Sequence, residues 1–260
     1  MSAIFTGTGA LLLRLLVVLR VLLRGRCDAD ETLRLVDVGL RDAAPTVAFG
    51  SVVIGGIVGL QGLGYLTRYN ATEVFGWAAA LSAFRDVGPL LLAFAIAARV
   101  GTKNSAQVAT LAVRERLDAL CALGLDPHAA VTAPRVGAVV VVTVLLYPLA
   151  AISILAVGFG FARVLGDQNL AVSLWSVHSY LGSVVVVEGL LRLALFGLII
   201  GLCTTHAGLS LWQAQPTITA ATTPRSSANA VGDAVYRGSV LSLVGVVTVN
   251  LALSLLGGTG

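Results

Sequence analysis

Four charged residues stand inside stretches of this sequence that are otherwise apolar. Arg85 and Asp86 lie together in "SAFRDVGPLLLAF" (82–94), and Glu188 and Arg192 lie one helical turn apart in "SVVVVEGLLRLALF" (183–196). A charge near the centre of a bilayer costs on the order of 3 kcal/mol, so such a residue faces a partner or a wet cavity. The structural arrangement is two self-neutralising pairs, Arg85 with the neighbourhood of Asp86 and Glu188 with Arg192. The functional one is a polar site, and four charges of balanced sign exceed what packing requires. A further polar set, Gln61, Tyr65 and Tyr69, closes the apolar run ending in "GLQGLGYLTRYN" (59–70), with Leu60 and Leu63 beside it.

The chemistry these types allow is binding rather than bond-making. There is no His-Glu-x-x-His, no Gly-x-Ser-x-Gly and no pair of acids spaced for one site, the patterns an intramembrane enzyme acting on a lipid would need. "RVGTKNS" (99–105) lacks the Gly-x-x-x-x-Gly-Lys-Ser/Thr spacing that wraps phosphate, so no nucleotide site is expected. His128, His178 and His206 fall in different segments, and Cys27, Cys121 and Cys203 are far apart. Neither set has metal-ligand spacing, so we expect no metal, no disulfide and no directly bound cofactor. A secondary transporter, the other rival, normally carries internal repeats, and none is visible.

Such residues need membrane elements to position them. The chain has 260 residues, 57% hydrophobic and only 12% charged, about half the charge of a soluble domain. Five apolar segments are expected to cross a bilayer as helices, over 45–66, 77–98, 127–165, 183–206 and 234–256, with Pro134 and Pro148 removing backbone donors from the third. No stretch alternates like a barrel strand. Ahead of them, residues 1–26 carry Arg14, Arg20 and Arg24 close to one helical face, which suits an interfacial amphipathic helix better than a sixth span. The fold class expected is an all-α membrane protein.

Ten cations (Arg24, Arg26, Arg34, Arg41, Arg99, Lys103, Arg114, Arg116, Arg135 and Arg225) fall on one side of this topology and two, Arg68 and Arg163, on the other. The positive-inside rule then puts the N-terminus in the cytoplasm and the C-terminus outside. The net charge of +4 follows that asymmetry and forms no nucleic-acid patch. Between the second and third spans, "NSAQVATLAVRERLDALCALGLDPHAAVTAPR" (104–135) predicts a short cytoplasmic helix over 105–124. Arg114 and Asp118 are spaced to pair across one turn, Gly124 suits a C-cap, and Asp126 with Pro127 starts the third span. A stiff charged helix there serves either as a cover for the bundle or as a lever that a separate machine grips.

This stretch resembles the signature of the MlaE/YrbE permease family, the membrane subunits of MCE-type lipid ABC transporters. It supplies Glu115, Arg116, Ala119, Leu120, Leu123, Gly124, Asp126 and Pro127, then Pro134 and Arg135. "VGLQG" (58–62) and "RDVGP" (85–89) resemble further elements in the same order. The likeness covers most of residues 30–165 and, more weakly, 184–256. Within it, Arg116 replaces a usual Gln or Glu, Gln107 stands where an acid is common, and Asn250 occupies a place often held by Asp.

The resemblance implies an N-terminal interfacial elbow helix, five transmembrane helices and a cytoplasmic coupling helix over 105–124. It implies an inner-membrane permease that works beside a second permease copy, identical or related. A cytoplasmic ABC ATPase would use ATP and Mg and dock through Arg114, Glu115, Asp118, Leu120, Gly124 and Asp126. A periplasmic ring of MCE-domain proteins would exchange phospholipid, or a related amphiphile, with the membrane. With the first span ending outside, Leu60, Gln61, Leu63, Tyr65, Tyr69, Arg85, Asp86, Glu188 and Arg192 are expected to bind substrate lipid, acyl chains against the leucines and a headgroup against arginine.

Overall fold

The computed structural model describes residues 29–69, 72–166, 170–180, 182–213 and 224–257. The interfacial helix expected over residues 1–26 lies outside them. Within the described residues the chain is all-α. Five helical runs, Asp30–Arg68, Phe75–Val113, Ala130–Val164, Val184–Trp212 and Ala228–Leu255, are long and apolar enough to cross a membrane.

These runs outreach the apolar segments that announce them. The first two have 39 residues each, about 58 Å at the helical rise, against a hydrocarbon layer of about 30 Å. The second therefore continues past residue 98 into polar sequence up to Val113, and the first begins well before Pro45. Hydropathy marks the part of a helix that lipid must accommodate, not the whole helix.

The first run comprises α1 (Ala29–Ile57), a π-helical turn over Val58–Gly62 and α2 (Leu63–Arg68). The second comprises α3 (Phe75–Leu81), a π turn over Ser82–Asp86, α4 (Val87–Ile96), a π turn over Ala97–Gly101 and α5 (Thr102–Val113). Next come α6 (Arg116–Ala122), a π turn over His128–Thr132 and α7 (Ala133–Gly166), which carries Pro148 inside it. Then follow α8 (Leu170–Tyr180), α9 (Ser183–Gln213) and α10 (Pro224–Gly257). Each π turn accommodates an extra residue in the helix, and such turns gather at functional positions. One of them carries Gln61 and another carries Arg85 with Asp86.

The chain divides into two compact units. One contains residues 1–40, 96–142 and 196–260. Its core joins Val108, Ala112 and Leu117 to Leu209, with Leu111, Leu120, Val131 and Trp212 packed against them. Asn104 donates to Thr204 Oγ1 at 3.1 Å, and Ser105 donates to the Thr204 carbonyl at 2.9 Å, so buried polar atoms tie α5 to α9.

The other unit contains residues 41–95 and 143–195. Leu63, Phe75, Ala79, Phe159 and Ala162 form its apolar cluster. A Cβ on Gly55 would lie 2.6 Å from the carbonyl of Ile154, and one on Gly59 would lie 2.9 Å from that of Gly158. These glycines let α1 and the following π turn rest directly on the α7 backbone. The helix α8 has no counterpart among the expected spans. Its Ser176 hydroxyl accepts a hydrogen bond from the Trp77 N–H at 3.2 Å, and Ser173 and Ser176 are buried.

Candidate functional site

Local backbone chemistry positions the four charges. Pro89 has no N–H to offer the carbonyls of Arg85 and Phe84, four and five residues before it. Other donors fill both. The Tyr147 hydroxyl donates to the Phe84 carbonyl at 2.9 Å, and Arg192 Nη1 donates to the Arg85 carbonyl at 3.2 Å. Gly189 permits this approach, because a Cβ there would collide with both the Phe84 carbonyl oxygen and the Tyr147 hydroxyl.

The side chains then close into one network. Arg192 Nη2 lies 3.1 Å from Glu188 Oε1, its Nη1 lies 3.5 Å from Asp86 Oδ1, and Arg85 Nε lies 3.5 Å from Glu188 Oε2. Glu188 and Arg192 do pair, and Arg85 and Asp86 join them in a single neutral quartet in which Glu188 is shared by both arginines. Arg192 is its centre, with a side chain only 5% exposed, whereas Asp86 at 53% is its open edge. The buried guanidinium is occupied by Asp86, Glu188 and a carbonyl. In the folded chain it holds the two carboxylates together.

Gln61 and Tyr65 lie one helical turn apart and face the same space. With Ile57, Val58, Phe75, Ala78, Ala79 and Ser82 they line a cavity of about 250 Å³. With Gly64 and Arg68 they line a second of about 260 Å³. Ser82 begins the π turn that carries Arg85 and Asp86, so the apolar cavity and the charge quartet share one short segment. Leu60, Tyr65 and Tyr69 are exposed, but Leu63 is 6% exposed and belongs to the core with Phe75 and Phe159. Its expected contact with an acyl chain is corrected to internal packing. Sequence reasoning used Arg68 only for topology, although its place seven residues after Gln61 already puts it on the same helical face.

The residues expected to dock an ATPase, in the first unit described, depart further from the expected helix. The single helix over 105–124 is two helices, and the break lies at Arg114 and Glu115. Glu115 takes a left-handed conformation with φ 56°, and its N–H reaches the Ala112 carbonyl at 3.1 Å. The break forbids a regular i,i+4 pair between Arg114 and Asp118. Asp118 instead accepts from the Trp212 indole N–H at 2.9 Å. Leu120 is half-buried against the core, and Glu115, Asp118, Gly124 and Asp126 are exposed.

After α6 the chain turns sharply. Gly124 has φ +75°, the Gly124 N–H bonds the Cys121 carbonyl at 2.9 Å, and the Leu125 N–H bonds the Leu120 carbonyl at 3.0 Å. This is a glycine-ended helix stop of the Schellman type. Ala130 N–H then reaches the Asp126 carbonyl at 3.0 Å as the next helical run begins.

Among the described residues, five helical runs of membrane length define a polytopic all-α membrane protein. The family model described as Permease MlaE matches residues 33–256, and the chain belongs to that family. It is 30% identical over 164 residues to a probable ABC transporter permease protein of Rickettsia prowazekii, covering 63% of each chain. A probable ABC transporter permease protein of Synechocystis is 28% identical over 90% of this chain and 84% of its own. The intermembrane phospholipid transport system permease protein MlaE of Haemophilus influenzae is 28% identical over 68% of each.

Proposed function

We propose that this chain is the membrane subunit of an ATP-driven lipid transporter, moving phospholipid or a related amphiphile between the inner membrane and a periplasmic ring of MCE-domain proteins. The observation that carries this reading is the Gln61–Tyr65 groove, apolar along Ile57, Val58 and Phe75 and polar at its Arg68 end. An acyl chain gains about 0.8 kcal/mol for each methylene buried there. A phosphate at the end of the groove meets Arg68, and the edges of the quartet at Arg85 and Asp86 stay within the same segment as Ser82.

Membership of the permease family and the phospholipid-transport name of the Haemophilus relative support the cargo class. The cation asymmetry supports an N-terminus in the cytoplasm and a groove on the periplasmic side. ATP and Mg are then used by a separate cytoplasmic subunit. That subunit grips α6, which exposed Glu115 precedes, which carries exposed Asp118 in its first turn and which Leu117 anchors. A second permease copy completes the assembly.

The test reconstitutes the chain with its ATPase in vesicles and follows transfer of labelled phospholipid. Gln61→Ala with Tyr65→Ala is expected to lower ATP-dependent transfer about tenfold while the ATPase still co-purifies, the loss of roughly two methylene-sized contacts at the groove. Unchanged transfer by this double variant contradicts the reading.

A further inference from the structure

A further cavity, of about 350 Å³, lies in the unit that contains α5 and α6, and four cations line it: Lys103, Arg114, Arg116 and Arg135. No acid is among the described residues that line it. Lys103, Gln107, Thr110 and Arg114 follow one another along a single face of α5 and its end, and Arg135 reaches in from the start of α7. Arg135 is held in place by neutral acceptors, Gln107 Oε1 at 2.7 Å and Asn104 Oδ1 at 3.2 Å, so these bonds orient its guanidinium without cancelling the charge. Glu31 of α1 acts on Arg135 electrostatically but forms its ion pair, at 3.6 Å, with Arg34.

An acid in place of Gln107 would pair with Arg135 at the 2.7 Å contact and lower the positive charge of the cavity. Arg116, at the entrance of α6, adds a further cation to the lining. Arg114, Arg116 and Arg135 line the cavity together, and a cleft lined by one sign of charge raises the local concentration of its counter-ion.

We propose that this cavity is an anion site that takes a phosphate group. Arginine forks suit phosphate oxygens, and the Gln107 and Thr110 side chains add neutral hydrogen-bonding capacity. The phosphate can belong to an anionic lipid headgroup or to a soluble phosphate. Arg135 lies five residues inside the run Ala130–Val164, the depth at which a span meets headgroups, which favours the lipid. The site is independent of the Gln61–Tyr65 groove.

The experiment measures lipid retained by the purified full chain, by native mass spectrometry, after equilibration with vesicles of equal phosphatidylglycerol and phosphatidylcholine, with and without added inorganic phosphate. The wild-type protein is expected to prefer phosphatidylglycerol. Gln107→Glu and Arg116→Gln, both at exposed positions, should each lower that preference about fivefold, as expected for one unit of charge near a membrane surface. Arg163→Gln, a cation outside the cavity, should leave it unchanged.

Displacement of no lipid by inorganic phosphate assigns the site to a lipid. Saturable phosphate binding that both variants weaken, without any lipid preference, assigns it to a soluble anion. No preference and no phosphate binding, or variants indistinguishable from wild type, overturns the proposal. So does a loss confined to ATPase association, which would make the cations a protein-docking surface.

Discussion

Arg192 shows how much one buried cation organises. It holds Glu188, Asp86 and the carbonyl that Pro89 leaves open. Removing one member of a buried ionic set leaves its partners uncompensated, so Arg192→Gln is expected to destabilise the folded protein by about 3 kcal/mol, read as a lower unfolding midpoint in detergent. Tyr147→Phe removes only the donor to the Phe84 carbonyl and should cost about 1 kcal/mol in the same assay. The four charges were visible in the sequence as anomalies of type and depth. The pairing of Glu188 with Arg192 was visible too, but its links to Arg85 and Asp86 were not, because the π turn over 82–86 changes the phase of the helix and nothing in "SAFRD" announces a π turn. Pro89 was the legible clue, since a missing N–H always leaves carbonyls for someone else.

At the scale of elements, the break at Arg114–Glu115 decides what α6 can do. In a continuous helix Leu117 would point about half a turn away from Val108. The break brings Leu117 into one cluster with Val108, Ala112 and Leu209. Arginine and glutamate are good helix formers, so the sequence gives no local warning; burial of Leu117 overrides propensity. The left-handed Glu115 costs about 1 kcal/mol relative to glycine. Glu115→Gly should therefore raise the unfolding midpoint, while Trp212→Phe, which removes the bond to Asp118, should speed hydrogen exchange across 116–122 about fivefold. The turn at Gly124 was legible, because a glycine after a short apolar helix marks a left-handed stop. Gly55 and Gly59, four residues apart, have the small-residue spacing that lets helices approach closely. Gly59→Leu would drive a side chain into the Gly158 backbone and should abolish recovery of monodisperse protein, whereas Gly64→Leu, with open space around it, should be tolerated.

For the molecule as a whole, the class was legible from composition and the five apolar segments, and the helix ends were not, since they extend past those segments into polar sequence. The proposed orientation puts exposed Cys121 in the cytoplasm, while Cys203 is buried. In a Cys27→Ser background, an impermeant maleimide should label inverted vesicles at Cys121 and leave right-side-out cells unlabelled. The central claim, that the Gln61–Tyr65 groove carries lipid in an ATP-driven cycle, is tested most directly by a photoreactive side chain at position 65 in the assembled transporter. We expect phospholipid adducts at position 65 whose yield changes with ATP, while a control at exposed Leu251 gives a yield indifferent to ATP. Equal, ATP-independent yields at both positions would contradict the account.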